Sequence, residues 1–351
     1  MAASRRSGLA DPRLPYGILA VLLLALAVLL AVVRLLGLDA RILYTDLPRV
    51  EQPLPGAVSA DAGERSATVA NLRGPPATDG PEIAGAPPVD VPDSLLRPGR
   101  YGALPRRADD GRDPFSVYRS AFRVDPEKPR IALVVIGLGL ARTPTLTATE
   151  LPPVFGLAFS PYGRDLAGWM RYARRRGHEV LMELPVRPAR FPLDDAGPLA
   201  LGPTLPPERL RQRLETVLAA GKGYLAVVAA PGAYAAEPDK FDPVVTELAT
   251  AGLGLVELGG TRLADIAARR GLPYAWSDPP IDLDPAPEAI DLALGRLETR
   301  ALRDGAALGT LEGTAIAYAR LRQWVPSLEA KGLQLVAPSR IFTDRSGRFP
   351  E

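Results

Sequence analysis

Five carboxylates sit at or just after short apolar runs in the C-terminal part of the chain. These are Glu183 in HEVLMELP, Glu257 in GLGLVEL, Asp278 and Asp282 in SDPPIDLD, and Glu312 after GAALGTL. Acidic groups gathered at neighbouring strand ends can hold a hard cation through oxygen or divide the work of an acid and a base. The ordinary alternative is that each caps the helix that follows it or faces solvent. Glu183, Asp278 and Asp282 are taken as candidate catalytic residues, and Glu257, Glu312 and His178 as candidate ligand-binding residues.

Other chemistries are narrowed by what the chain lacks. Cysteine is absent, so there are no disulfides, thiolate metal sites or cysteine nucleophiles. Histidine occurs once, at position 178. A serine triad needs a histidine, and most catalytic zinc sites use two or three, so a lone His178 next to a strand reads first as a hydrogen-bonded structural residue. Gly137-Leu138-Gly139 lacks the third glycine and the acidic partner of a dinucleotide fingerprint. The formal net charge of +2, with no basic run interleaved with aromatics, argues against a nucleic-acid partner.

Alternating elements must position these residues. RIALVVIGLGL opens with an uninterrupted apolar run, Ile131 to Ile136, bounded by Pro129 and by glycines at 137 and 139. It reads as a buried strand. Further short runs follow at 154 to 160, 178 to 185, 223 to 230, 252 to 258, 273 to 277, 305 to 311 and 333 to 339. Helical segments lie between them at Asp165 to Arg176, Pro206 to Ala220, Phe241 to Ala251, Arg262 to Arg270, Pro287 to Arg303 and Thr314 to Lys331. This alternation predicts an α/β domain with a mostly parallel sheet, either a barrel or an open doubly wound sheet. In both, the site lies at the C-terminal strand ends, where Gly137, Gly139, Glu183, Pro231, Gly232, Glu257, Asp278, Asp282 and Glu312 fall.

The N-terminal third reads differently. Apolar residues run from Gly17 to Val33 without a charge and resume after Arg34. That predicts a transmembrane anchor over 17–38. The competing reading is a cleaved signal peptide, whose apolar core is usually about 7–15 residues. Arg5, Arg6 and Arg13, opposed only by Asp11, keep residues 1–16 in the cytoplasm and place the remainder outside it, despite Arg34 and Arg41 on the far side. The expectation is a single-pass protein of the inner membrane. Residues 39–128, crowded with Pro, Gly, Ala and charge, are expected to form a disordered linker, with short mixed pieces such as Phe115 to Phe122 as the alternative candidates to dock on the domain, leaving 129–345 as the folded domain.

The order of these segments resembles the divergent polysaccharide deacetylase family over roughly residues 129 to 342. GHEVLMELPVRP at 177 to 188 resembles its Gly-His-Glu strand and Leu-Pro turn, and RIALVVIGLGL its first strand. LAFSPYGRDLAGWMRYARRRGHEV, GLGLVEL, LPYAWSDPPIDLD and GAALGTLEGT follow in the family's order. The resemblance implies a distorted (β/α) barrel of about seven parallel strands and a divalent metal, held by aspartate and histidines, that activates water. At the places matching those ligands this chain has Ile136 and Gly137, Glu183, Ala230, and Gly309-Thr310-Leu311. Gly232 is retained, and Asp278 and Asp282 match the family's Asp-Val-Phe-Leu-Asp pattern. The resemblance therefore implies a catalytically inactive barrel without a metal cofactor, binding peptidoglycan, another envelope glycan or an envelope protein. The alternative is a hydrolase of carbohydrate-borne C–N bonds using Glu183, Glu257, Asp278 and Glu312.

Overall fold

A computed structural model describes residues 74–76 and 83–343. The expected anchor and most of the expected linker lie outside the described residues. Among those described, no helix is long and apolar enough to cross a membrane.

Seven parallel strands close into a barrel: β3 (Arg130–Leu138), β4 (Gly156–Phe159), β5 (Val180–Glu183), β6 (Ala226–Ala229), β7 (Gly254–Leu258), β8 (Tyr274–Ser277) and β9 (Ala306–Leu311). Closure comes from β9 pairing with β3, from Arg130 opposite Ala306 to Val135 opposite Leu311. The barrel, not the open sheet, is thus the architecture. It is distorted at one seam, where β8 meets β9 only at Ser277 and Leu308. A short β10 (Gln334–Leu335) adds to the start of β3.

Alternation along the strands divides the core in two. Inward positions such as Ala132, Val134, Leu181, Val228, Val256 and Leu308 fill the barrel. Outward positions such as Leu133, Leu157, Met182, Val227 and Leu255 pack on the helices. Those helices are α2 (Arg142–Ala148), α3 (Leu166–Arg175), α4 (Pro207–Leu218), α5 (Asp242–Ala251), α6 (Ala264–Arg270), α7 (Pro287–Asp304) and α8 (Ala315–Trp324). Sequence reading missed α2, whose RTPTLTA carries little helical signal. It also ran the last helix to Lys331. Pro326 lacks an N–H, and the chain goes on instead in short 3-10 turns at Val325–Ser327 and Glu329–Lys331.

The described stretch 83–128 differs from the disordered linker expected there. It forms a hairpin, β1 (Leu96–Gly99) with β2 (Gly102–Pro105), and a one-turn helix α1 (Pro114–Val117), started by a capping box between Asp113 and Ser116. Leu95, Phe115 and Tyr118 join Ile341 and Phe342 in the inner core, with the Phe115 and Phe342 rings 5.1 Å apart. Buried Arg174 donates to the carbonyls of Pro88, Val89, Lys222 and Gly223 and so pins this stretch to the barrel. A few large apolar groups among the prolines bury enough surface to order the segment, which average composition conceals.

Candidate functional site

The C-terminal strand ends form the mouth of the barrel. Continuing the inward alternation places Ile136, Ser160, Glu183, Ala230, Leu258, Ser277, Thr310 and Glu312 around it. Ile136, Glu183 and Leu258 are half-buried, while Ala230 and Glu312 are exposed. The Ser277 hydroxyl lies 3.4 Å from that of Thr310 and donates to the Asp278 carbonyl at 2.8 Å.

Glu183 is shaped by the strand beside its neighbour. The pairing of β3 with β4 slips between Val135 and Leu138, and Gly137 sits within that slip at φ +77°. A positive φ there favours glycine. The result is a backbone N–H turned toward the mouth, which donates to the Glu183 carboxylate. Burial pushes the Glu183 carboxyl up from 4.5 to about 7, opposed by the Gly137 N–H and reinforced by the negative charge of Glu312. Glu183 and Glu312 are therefore the carboxylates that the fold brings together at the mouth.

The remaining candidates have other surroundings. Asp282 lies beneath Glu312 and accepts from the N–H groups of Glu312 (2.7 Å), Gly313 (3.1 Å) and Thr314 (3.1 Å), fixing the turn into α8. Gly313 is left-handed there, and a β-carbon at this position would collide with the Tyr318 hydroxyl. Asp278 pairs with Arg300 of α7 at 2.6 Å, and that guanidinium stacks 4.4 Å from the centre of the Trp276 ring. Glu257 points outward and is buried. It accepts from the N–H groups of Arg262 and Leu263, which open the turn into α6, and from the Tyr274 hydroxyl at 2.7 Å. Burial raises its carboxyl despite these three donors.

His178 lies at the other end of the barrel, just before β5. It is fully buried, with its two ring nitrogens 2.9 Å from the Phe155 carbonyl and 3.2 Å from that of Thr149. Burial lowers its pKa. Next to it, buried Glu179 accepts from the N–H and hydroxyl groups of both Ser120 and Ser339. Sequence reasoning missed Glu179 as a tie between the 83–128 segment, the barrel and the C-terminal stretch. Its signals were the Gly-His-Glu of the family resemblance and an acidic residue set against an apolar strand.

One wall of the mouth is the long loop from Leu184 to Pro206. It is braced by a bridge between Val186 and Leu201 and by Arg187, whose carbonyl accepts from Ala233 N–H at 2.7 Å. A side chain on Gly232 would strike that carbonyl, which accounts for glycine at this position.

A metal of the kind the resemblance implies does not fit these residues. Ile136, Gly137, Ala230 and Leu258 offer no ligand atom to the mouth, and an N–H donor is aimed at the one half-buried carboxylate. Among the described residues no group of three or more His, Cys, Asp or Glu side chains could hold a metal ion.

The sequence pattern defining the divergent polysaccharide deacetylases matches residues 133–342. Among solved structures, an uncharacterized protein from Agrobacterium tumefaciens C58 is similar at 30% identity and a TM-score of 0.63, over 67% of this chain and 98% of that one. The catalytic domain of peptidoglycan N-acetylglucosamine deacetylase from Eubacterium rectale ATCC 33656 is similar at 12% identity and a TM-score of 0.39, over 66% of this chain and 98% of that one. No curated protein matches the chain.

Proposed function

The chain belongs to the divergent polysaccharide deacetylase family, and from that premise we propose that its barrel is a glycan-binding module of the cell envelope, tethered to the inner membrane and without metal-dependent hydrolysis. One observation carries this reading. Where a deacetylase-type barrel needs ligands for a cation, this mouth presents a backbone N–H donor facing Glu183. Near neutral pH Glu183 is partly protonated, so it can donate to a hydroxyl or acetamide oxygen of a sugar. The neighbouring strand-end residues Ser160, Ser277 and Thr310 are buried, so Glu183 is the group offered to the sugar. The tether is supported by the uncharged run from Gly17 to Val33 and its arginine-bearing N-terminal flank.

Calorimetric titration of the full chain with N-acetylglucosamine-containing peptidoglycan fragments tests the reading. Binding in the presence of a chelator is expected, weakened by Glu183→Ala, with no acetate released when zinc is supplied. Zinc-dependent release of acetate would overturn it.

A second reading has one observation in its favour: Glu183, held near neutrality, faces the charge of Glu312. A carboxyl raised toward neutrality beside a second carboxyl group can act with it as acid and base on a polarised amide. Acetate release that persists in chelator, and is lost in Glu183→Gln and Glu312→Gln alike, would select this reading over the first.

A further inference from the structure

The wall of the barrel is breached at one place. Six of its seven neighbouring strand pairs share three or more residue pairs, whereas β8 and β9 share only Ser277 and Leu308. At the start of β8 the gap is filled by Thr343, whose N–H donates to the Tyr274 carbonyl at 2.8 Å and whose carbonyl accepts from the Tyr274 N–H at 3.2 Å. The rest of the breach opens as a cleft of 360 Å³ between α6 and α7. Its walls are mostly small apolar groups: Ala264, Ala268, Ala275, Ala306, Ala307 and Leu308.

Trp276 and Arg300 complete those walls. Alternation along β8 turns Trp276 outward, and Arg300 of α7 lays its guanidinium 4.4 Å from the centre of that ring. The Nη2 of Arg300 donates to Asp278 at 2.6 Å. Its Nε and Nη1 are buried and have no hydrogen-bond partner. Buried donors without acceptors are costly, so this edge of the guanidinium calls for one. Adjacent donors in one plane match the two oxygens of a carboxylate. Both nitrogens are covered, so an entering oxygen requires a side-chain shift at the cleft wall, where half-buried Trp276 is the neighbour stacked on the guanidinium.

The remaining lining narrows the ligand. A volume of 360 Å³ is at the lower end of small-molecule sites, which run from about 300 to 1,000 Å³. Asp278 already balances the charge of Arg300, so what the site offers is a directed pair of donors beside an apolar wall. Asp304, in a forked pair with Arg303 at 2.7 Å, and Asp265, in the first turn of α6, also line the cleft. They oppose a second negative charge, whereas the alanines accept a short apolar tail. We infer that the seam between β8 and β9 binds a small aliphatic monocarboxylate, with its oxygens on Nε and Nη1 of Arg300 and its tail against the alanines of the cleft. The site is on the flank of the barrel, outside the Glu183 mouth, and stands independently of the glycan reading.

The chain has three tryptophans, Trp169, Trp276 and Trp324, so fluorine NMR of the full-length protein, labelled with 5-fluorotryptophan and held in detergent micelles, reads each one. Trp276→Phe assigns the signal of interest. The probes are butyrate, butyramide and glutarate. Butyrate is expected to shift the Trp276 signal saturably in the millimolar range and to leave the other two in place. Butyramide lacks the second oxygen and glutarate adds a second charge, so each is expected to bind at least about tenfold more weakly. Arg300→Lys keeps the charge and loses the fork, and Ala268→Phe, at an exposed position, fills the cleft. Both are expected to weaken the butyrate response by a similar factor with the circular dichroism spectrum retained. The two changes act on different walls, so either variant that folds decides the matter. No saturable shift at Trp276, an equal response to butyramide, or a response that survives in a folded variant overturns the proposal.

Discussion

The N–H of Gly137 is directed at the carboxylate of Glu183, so a hydrogen-bond donor stands where the resemblance to deacetylases leads one to look for a cation. Two local features produce it. A left-handed glycine inside a slip of strand pairing turns the amide inward, and the inward alternation of β5 supplies the acceptor. The donor alone would lower the carboxyl pKa, yet burial outweighs it, and the group titrates near 7.

Glu183 therefore makes stability depend on pH in a defined direction. A carboxyl raised in the folded state contributes fully below its unfolded value of 4.5, and that contribution is lost as pH rises to about 7. The ceiling of this loss is about 3 kcal/mol, and partial exposure reduces it to roughly 2 kcal/mol. Glu183→Gln keeps an oxygen for the Gly137 N–H and removes the charge. Urea unfolding is expected to show the variant more stable than the parent at pH 8 and equal to it at pH 4.5. Equal stability at both pH values would refute the assignment.

Gly137→Ala tests the backbone half of the pair. At φ +77° a β-carbon meets nothing within 4 Å, so the cost is conformational, about 1–2 kcal/mol. Relaxation of the strand would turn the N–H away and remove the interaction that opposes burial. The expected signature is a Glu183 titration, followed by carboxyl NMR, that moves further upward. A downward move would show that the N–H does not reach the carboxylate in solution.

Much of the barrel was legible because parallel strands buried on both faces read as apolar runs, and all seven barrel strands fall within runs identified from sequence. The mouth was legible as a set of strand ends but not as a set of roles. Glu257 and Asp282 look like Glu183 in sequence, yet their oxygens meet the N–H groups that open α6 and α8. Which carboxylate turns inward depends on parity within a short strand, and a shift of one residue reverses it. The 83–128 segment was illegible for another reason. Its order comes from partners distant in sequence, from Arg174 and Glu179 to Phe342 against Phe115, and no local pattern carries that information.

Glu179 and Ser339 supply a test at the closed end of the barrel. Four donors converge on this buried carboxylate, at 2.6–3.0 Å, and burial raises its pKa in spite of them. Glu179→Ala leaves buried N–H groups without acceptors and is expected to cost about 3–5 kcal/mol. Glu179→Gln retains one acceptor oxygen but turns an amide toward a donor, so a smaller loss is expected. Chemical denaturation of the two variants gives the order, and an alanine variant no less stable than the glutamine variant would contradict it.

The boundary of the folded domain can be tested by shortening the chain. A protein beginning at residue 129 matches the compositional boundary but lacks Leu95, Phe115 and Tyr118, each of which is buried in the inner core. Each fully buried apolar side chain is worth about 1.5–3 kcal/mol, so losing the three removes an amount comparable to the whole stability of a typical domain. Arg174 and Glu179 would also lose partners on the removed segment, leaving buried polar atoms unpaired. The shortened chain is expected to show no cooperative thermal transition by circular dichroism, whereas one beginning at residue 83 should melt in a single step. A cooperative transition in the protein starting at 129 would mean that the 83–128 segment decorates the barrel without sustaining it.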